Sequence, residues 1–268
     1  MVSNSNRELP IDHVMRMENT YHNEIVYSIN NTLWIREYTK DLILPTRLNN
    51  VFGWKTKYKL FEGTTDEGIV YAEQLGLSHG DSVVLNFASS TTPGGGFLTG
   101  AMAQEEALCG VSTLYNVLQM FDGSVYSVQR ENTNNSLYMQ SILYTPKVVF
   151  ETSIGGLFAD VITCAAPNSR AARSKGVNIK TIQNVMFNRI IHILDVATKN
   201  STCNCLILGA FGCGVFGNDP TFVAEMFKLA LESQYKGYFK QVIFAIPNKN
   251  GVNYKAFKDV WKDTADIV

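Results

Sequence analysis

The sequence predicts an α/β fold: a mixed, largely parallel sheet with helices on both faces. Three observations carry this reading. Short continuous apolar runs at Val83–Phe87, at Leu206–Leu208 and in "QVIFAIPN" near the C-terminus have the pattern of strands buried on both faces. Amphipathic stretches separate them, the longest from Asn178 to Thr198, with Ile179, Ile182, Met186, Ile190 and Leu194 at helical spacing. Two of the apolar runs pass straight into glycine-rich loops, "TTPGGGF" and "GAFGCGVFGNDP". In open α/β sheets the carboxyl ends of the strands are where ligands bind.

Taken in chain order, Ile11 to about Ile43 has spaced apolar residues in polar text, which predicts two helical segments ended by Pro45. Residues 1–50 are expected to form a helical extension packed on a main domain of residues 51–268. Tyr58–Glu62 alternates as a strand does. Thr64 and Thr65 are suited to cap a helix through Ile69, Ala72 and Leu75. Gly80-Asp81 makes a turn before the Val83–Phe87 strand. After the first glycine loop, Ala107, Leu108, Val111, Leu114, Tyr115 and Leu118 predict one helix with Glu105 and Glu106 in its first turn. "FDGSVYSVQRENTNNSLYMQ" reads as a turn-rich exposed excursion. "SILYTPKVVFE" is a strand interrupted at Pro146, and "ADVITCAAPN" is a buried strand opening at Asp160. Cys203 and Cys205 begin the strand that feeds the second loop. Asp219-Pro220 is an N-cap followed by the first residue of a helix to Glu232. The C-terminal segment is expected to be helical.

Composition narrows the function. The formal net charge is -1 and no long basic run occurs, which argues against a broad, sequence-specific grip on nucleic acid. The five cysteines are scattered without zinc-ligand spacing, so no metal and no cofactor are expected, and the thiols are read as reduced. "MVSNSNRELP" lacks a signal-peptide pattern, and no run approaches the roughly 20 apolar residues of a membrane span. The expectation is an intracellular, monomeric protein of the cytoplasm or nucleus, without membrane attachment.

The two loops carry the chemistry. In the second, Gly209, Gly212, Gly214 and Gly217 let backbone amides approach a ligand, as in an anion cradle, although the lysine of a Walker loop and the spacing of a dinucleotide fingerprint are both missing. A tight turn needed only for packing fits the same residues. In the first, Pro93 and Gly94-Gly95-Gly96 offer bare backbone on which a flat sugar can lie. Glu105 and Glu106 suit acid catalysis, and equally the helix macrodipole, which favours acids in a first turn by roughly 0.3–1 kcal/mol. A site combining both loops would take a nucleotide-like molecule carrying a sugar.

Three glycines, seven residues, then Gln104-Glu105-Glu106 resembles the signature of poly(ADP-ribose) glycohydrolases. "LNFASSTTPGGGF", "QEEALC", "VITCAAPN" and "GAFGCGVFGNDP" resemble their compact bacterial-type branch over roughly residues 55–260. The resemblance implies a macrodomain-like fold and hydrolysis of the ribose–ribose bond of poly(ADP-ribose), free or on ADP-ribosylated proteins, releasing ADP-ribose. It implies Glu106 as the catalytic acid, Glu105 as the catalytic neighbour that holds the reacting sugar, and Ser89 and Gln104 as substrate-binding residues, Ser89 on that same sugar. Gly94, Gly95 and Gly96 would run along the ribose and phosphate. Gly212, Cys213, Gly214 and Val215 would hold the diphosphate, and Phe216 would pack over the terminal ribose. The segment "FLTGAMA" differs from common members.

Adjacent helical residues do not share a face, so the two glutamates are not the opposed carboxylates of many glycosidases. One acid–base residue, Glu106, is expected, with Glu105 as an orienting acceptor, and cleavage is expected at chain ends. A binding module without activity, and a hydrolase of mono-ADP-ribose linked to protein or nucleic acid, are the competing readings. Asn248 and Tyr254 are candidates to border an adenine pocket, or equally to pack without a role there; His192 is expected in the core or on the surface rather than in catalysis, and His79 exposed before a turn.

Overall fold

The computed structural model describes residues 8–36, 53–77, 80–200 and 204–268. Helices α1 (Pro10–Thr20) and α2 (His22–Asn31) lead into β1 (Leu33–Arg36). Next come β2 (Lys57–Phe61), α3 (Thr65–Gln74), β3 (Ser82–Phe87), α4 (Gln104–Cys109), α5 (Leu114–Leu118) and α6 (Ser127–Glu131). The hairpin β4 (Ser141–Thr152) and β5 (Gly155–Cys164) precedes α7 (Ser169–Ser174) and α8 (Ile179–Asn200). The chain ends with β6 (Cys205–Leu208), α9 (Pro220–Glu232), β7 (Gln241–Ala245), α10 (Val252–Trp261) and β8 (Ala265–Ile267).

Among the described residues one eight-stranded sheet forms, in the order β1-β4-β5-β3-β6-β7-β2-β8. Only β1/β4 and β4/β5 are antiparallel. The other pairs are parallel. Alternation along β3 divides its side chains between two cores. Val83 and Leu85 join Ile190, Leu194, Phe227 and Trp261 under α8, α9 and α10. Val84 joins Leu108, Leu118, Val125 and Phe150 on the other face. Both faces are therefore dry, which is why the strands read as unbroken apolar runs.

The second helix ends at Asn31, and Ile43 lies outside the described residues. At Thr32 the hydroxyl donates back to Ser28 O (2.7 Å), and Leu33-Trp34-Ile35 then pairs with β4 as an edge strand. Pro45 lies outside the described residues. The segment before β1 is tied to the core: His13 Nε2 lies 3.2 Å from Ser112 O, and Ser28 Oγ donates to Pro146 O (2.8 Å).

The helix expected from Glu105 to Leu118 is broken. Ser112 leaves helical geometry to bridge Phe150, while Thr113 N donates to Val149 O and Glu151 N to Val111 O, so sheet pairing outcompetes helix continuation there. The excursion after Phe121 is more ordered than its polarity suggested. A π turn (Asp122–Tyr126) runs into α6, and Val125, Tyr126 and Gln129 are buried. Asp160 sits inside β5 rather than at its start. It accepts from Tyr144 Oη and from Lys147 N (2.9 Å) at the bulge beside Pro146. A three-residue strand, β8, follows α10 and pairs with β2; it is too short for periodicity to register. Asp219 caps α9 through Thr221 N (2.9 Å), with Pro220 as first residue. Cys205 opens β6, while Cys203 and His79 lie outside the described residues.

Candidate active site

Over the carboxyl ends of the central strands, the second glycine loop and the segments on either side of the first, Phe87–Ser90 and Met102–Leu108, line one cavity of about 530 Å³. Ser89, Gln104, Glu105 and Glu106 line one side; Gly212, Gly214, Val215 and Phe216 line the other. Gly94, Gly95, Gly96 and Cys213 do not reach its surface.

The triple glycine serves the protein's own carboxylates. Gly94 and Gly95 adopt φ of 65° and 59°, the left-handed region that favours glycine. A Cβ on Gly95 would stand 2.4 Å from Glu106 Oε1 and 3.1 Å from Glu105 Oε2; one on Gly94 would stand 2.6 Å from the Tyr115 ring. Bare backbone at Gly95 lets both carboxyls approach. Bare backbone at Gly94 lets Tyr115 seat beneath the loop. The bare strip therefore has a use within the protein itself, beside the sugar contact expected from sequence.

Glu106 is half-buried at the cavity wall. Its Oε1 accepts from Gly96 N (2.8 Å) and its Oε2 from Ala103 N (3.0 Å). The second bond is half of a capping box; Ala103 has no side-chain acceptor to complete it. Two backbone donors therefore fix the carboxylate's orientation at the start of α4.

Glu105 is only 2% exposed. Its Oε2 accepts from Ser89 N (2.6 Å) and its Oε1 from Asn86 Nδ2 (3.1 Å). Both bonds favour the ionised form, but burial outweighs them, and Glu106 next door adds to its effect. The pKa is pushed from 4.5 up to about 8. Burial thus favours the protonated form of Glu105 against its two donors, while both of its oxygens act as acceptors. Asn86, on β3, is the supporting residue that sequence reasoning missed, since it lies inside an apolar run.

Gln104, expected on the substrate, spends its amide on the protein. Its Oε1 accepts from Phe87 N (2.8 Å), while its Nε2 donates to Leu85 O (2.9 Å) and Thr65 Oγ1 (3.1 Å), tying α4 to β3 and α3. The Ser89 hydroxyl accepts from Thr91 N (3.3 Å) and Thr92 N (3.2 Å), which leaves its proton free to donate into the cavity. The same turn is clamped from outside by Gln129, which accepts from Ser90 Oγ (3.1 Å), and by Arg130, which donates to Thr91 O (3.0 Å).

In the second loop Gly212 has φ 70°, and a Cβ there would stand 2.5 Å from the Ala166 Cβ. Asn218 Nδ2 pins the loop by donating to Pro167 O (2.8 Å) and Gly212 O (2.9 Å). Among the described residues, the amides of Gly214, Val215 and Phe216 donate to no protein acceptor. Successive amides unused by the protein form a nest suited to an anion. Cys213 belongs to the same loop; burial first, and Asp219 second, push its thiol up to about 12, which disfavours the thiolate. The Phe216 ring lies 6.0 Å from that of Tyr138, a second aromatic wall. Tyr138 (φ 61°) ends a turn in which Asn134, Asn135 and Ser136 also have positive φ. The asparagines that tolerate this geometry made the segment read as exposed loop.

The far end of the cavity is bordered by Asp66, Pro247 and Asn253. Asn248 and Tyr254 are not there: Asn248 is exposed and accepts from Asn250 N (3.2 Å), and Tyr254 is buried in the core. His192 is also buried, and burial lowers its pKa to about 4, which marks it as a core residue. Among the described residues no group of three or more His, Cys, Asp or Glu is placed to hold a metal, and no helix is long and apolar enough to cross a membrane.

A macrodomain-like sheet with carboxyl groups at one strand end and an amide nest at the next defines a hydrolase of the ADP-ribose-processing class. The family model for the catalytic domain of microbial-type PARG, poly(ADP-ribose) glycohydrolase, matches residues 17–151, and the chain belongs to this family. Solved structures agree over most of the chain. Poly(ADP-ribose) glycohydrolase from Thermomonospora curvata superposes with a TM-score of 0.80 at 28% identity, covering 96% of this chain and 100% of that one. The same enzyme bound to the inhibitor ADP-HPD gives 0.79 at 29% identity, covering 96% and 99%. The enzyme from Deinococcus radiodurans in complex with ADP-ribose gives 0.75 at 29% identity, covering 89% and 97%. No curated protein sequence matches the chain.

Proposed function

We propose that this protein hydrolyses the ribose–ribose O-glycosidic bond of poly(ADP-ribose) and releases ADP-ribose, with Glu106 as its single acid–base residue. The observation that carries the reading is one cavity holding both the Glu106 carboxylate and the unused amides of residues 214–216. The diphosphate of a terminal ADP-ribose unit sits on those amides. Its distal ribose then lies between Phe216 and the Ser89–Glu106 wall.

In the reaction the glycosidic oxygen would leave as an alkoxide unless protonated. Glu106 delivers that proton, the ribose acquires oxocarbenium character, and water attacks the anomeric carbon as Glu106 takes a proton back. Held at both oxygens by Gly96 N and Ala103 N, Glu106 keeps its orientation through the cycle. Glu105, keeping its own proton at neutral pH, donates to a ribose hydroxyl and places the sugar. The bare Gly214 amide and the exposed Val215 suit a diphosphate entering from solvent.

A cavity of this size reads one terminal unit, so we place cleavage at chain ends. Both walls come from one chain, which supports a monomer as the working form. Cys109, Cys164, Cys205 and Cys213 are free thiols, in keeping with a reducing, intracellular setting. The decisive comparison is wild type against Glu106→Gln on poly(ADP-ribose). Wild type is expected to yield ADP-ribose monomers, and the variant to lose about 10²–10⁴ in rate while still binding ADP-ribose. Undiminished cleavage by the variant removes Glu106 from its role.

A further inference from the structure

Charge is unevenly placed along this nearly neutral chain. From Val161 to Leu194 there is no aspartate or glutamate, while Arg170, Arg173, Lys175, Lys180 and Arg189 all fall in that stretch. Arg189 is buried, but the other four are exposed: Arg170 and Arg173 on α7, Lys175 at its C-cap and Lys180 at the start of α8. Among the described residues Arg170, Arg173 and Lys180 meet no carboxylate and make no side-chain hydrogen bond.

Helix α7 is fastened to both walls of the cavity mouth. Arg170 N donates to Phe216 O (3.0 Å) in the amide-rich loop. A side chain on Gly217 would find Arg170 Cβ at 3.6 Å, Nε at 3.7 Å and Nη2 at 3.9 Å, so the guanidinium lies along that loop. On the other side, Asn168 N donates to Ser136 O (2.9 Å) and Lys175 Nζ to Ser136 Oγ (2.8 Å), in the turn that carries Tyr138. The Arg170 guanidinium thus stands beside the Phe216 loop, and Arg173 follows one turn later on the same short helix.

The geometry points to α7 as a binding surface for the next unit of the polymer: Arg170 and Arg173 receive the diphosphate of the unit beyond the scissile bond. This rests on the glycohydrolase reading, because the part of the substrate outside the cavity is what would meet these cations. The unit beyond the bond leaves past Phe216 and Tyr138, and carries a diphosphate of its own. Unpaired guanidinium groups suit phosphate oxygens in charge and shape. Such a surface makes the enzyme prefer chains over isolated ADP-ribose without adding anything to the chemistry.

The test compares Glu106→Gln protein with and without the added pair Arg170→Glu and Arg173→Glu, with fluorescent ADP-ribose and fluorescent long-chain poly(ADP-ribose) as probes. Affinity for polymer is expected to fall about ten-fold more than affinity for ADP-ribose, and the dependence of polymer affinity on salt to become shallower. The neutral pair Arg170→Gln and Arg173→Gln should show the same preference at smaller size, with an unchanged Tm. Equal losses for both probes, or no loss for polymer, would overturn the assignment. Protein with Glu106 intact decides the other question separately: failure to release ADP-ribose from polymer would overturn the glycohydrolase reading, while the binding comparison still decides α7.

Discussion

Replacing Gly95 with alanine asks whether the bare backbone of the triple glycine exists for the carboxylates. Two costs can be worked from the geometry. The φ of 59° is left-handed, which costs a residue with a Cβ about 1–2 kcal/mol. The new methyl would also stand 2.4 Å from Glu106 Oε1, short of ordinary contact by about 1 Å. Glu106 must swing by roughly that amount, and its 2.8 Å bond from Gly96 N must lengthen. A displacement of about 1 Å in a reacting group costs on the order of 100-fold in rate. The assay is initial release of ADP-ribose from poly(ADP-ribose), run beside thermal melting and ADP-ribose binding on the same preparation. Gly95→Ala should remain folded, with Tm lower by about 2–8 °C, and should bind ADP-ribose within a few-fold of wild type. Its kcat should fall about 100-fold. Gly94→Ala is the control. Its methyl meets the Tyr115 ring at 2.6 Å instead of a carboxylate, so it should lose stability with a smaller loss of kcat. A folded Gly95→Ala protein with wild-type kcat would refute the reasoning.

Two further outcomes follow from the same geometry. Because native Glu105 keeps its proton to about pH 8 while the unfolded chain releases it near 4.5, stability should fall as pH rises through that window, by up to roughly 5 kcal/mol before the site relaxes. Glu105→Gln should remove this part of the slope even if its absolute stability is lower; identical slopes in urea unfolding at pH 5 and pH 8 would contradict the assignment. Gly214 has open space around its Cβ position and no left-handed φ, whereas a Cβ on Gly212 meets Ala166 and Asn218 at 2.5 and 2.7 Å. Gly214→Ala should therefore keep its Tm and weaken ADP-ribose binding, and Gly212→Ala should lower Tm by several degrees; calorimetry and fluorescence titration separate the two.

Much of the architecture was legible in the residues. The buried strands announced themselves as apolar runs because both faces of the sheet are covered, and Asp219-Pro220 marked its helix start by local capping chemistry. Glu105 and Glu106 were found next to a glycine strip because spacing is a property of sequence. Elements decided by distant partners were not legible. β1 is a strand only because β4 offers it an edge, and α4 stops only because Ser112, Thr113 and Val111 pair with the β4 strand nearly forty residues away.

The site divides along the same line. The order and type of residues, with the resemblance to glycohydrolases that they carry, put the acids, the glycines and Phe216 in one constellation, since types and order are local facts. Tertiary structure alone decided which group each side chain faces. It turned Gln104 inward onto β3, put Asn86 beneath Glu105, aimed Gly95 at the carboxylates, and set Tyr138 against Phe216. It also buried Glu105 deeply enough for desolvation to outweigh its two donors, and no reading of neighbours along the chain contains the dielectric that produces that shift.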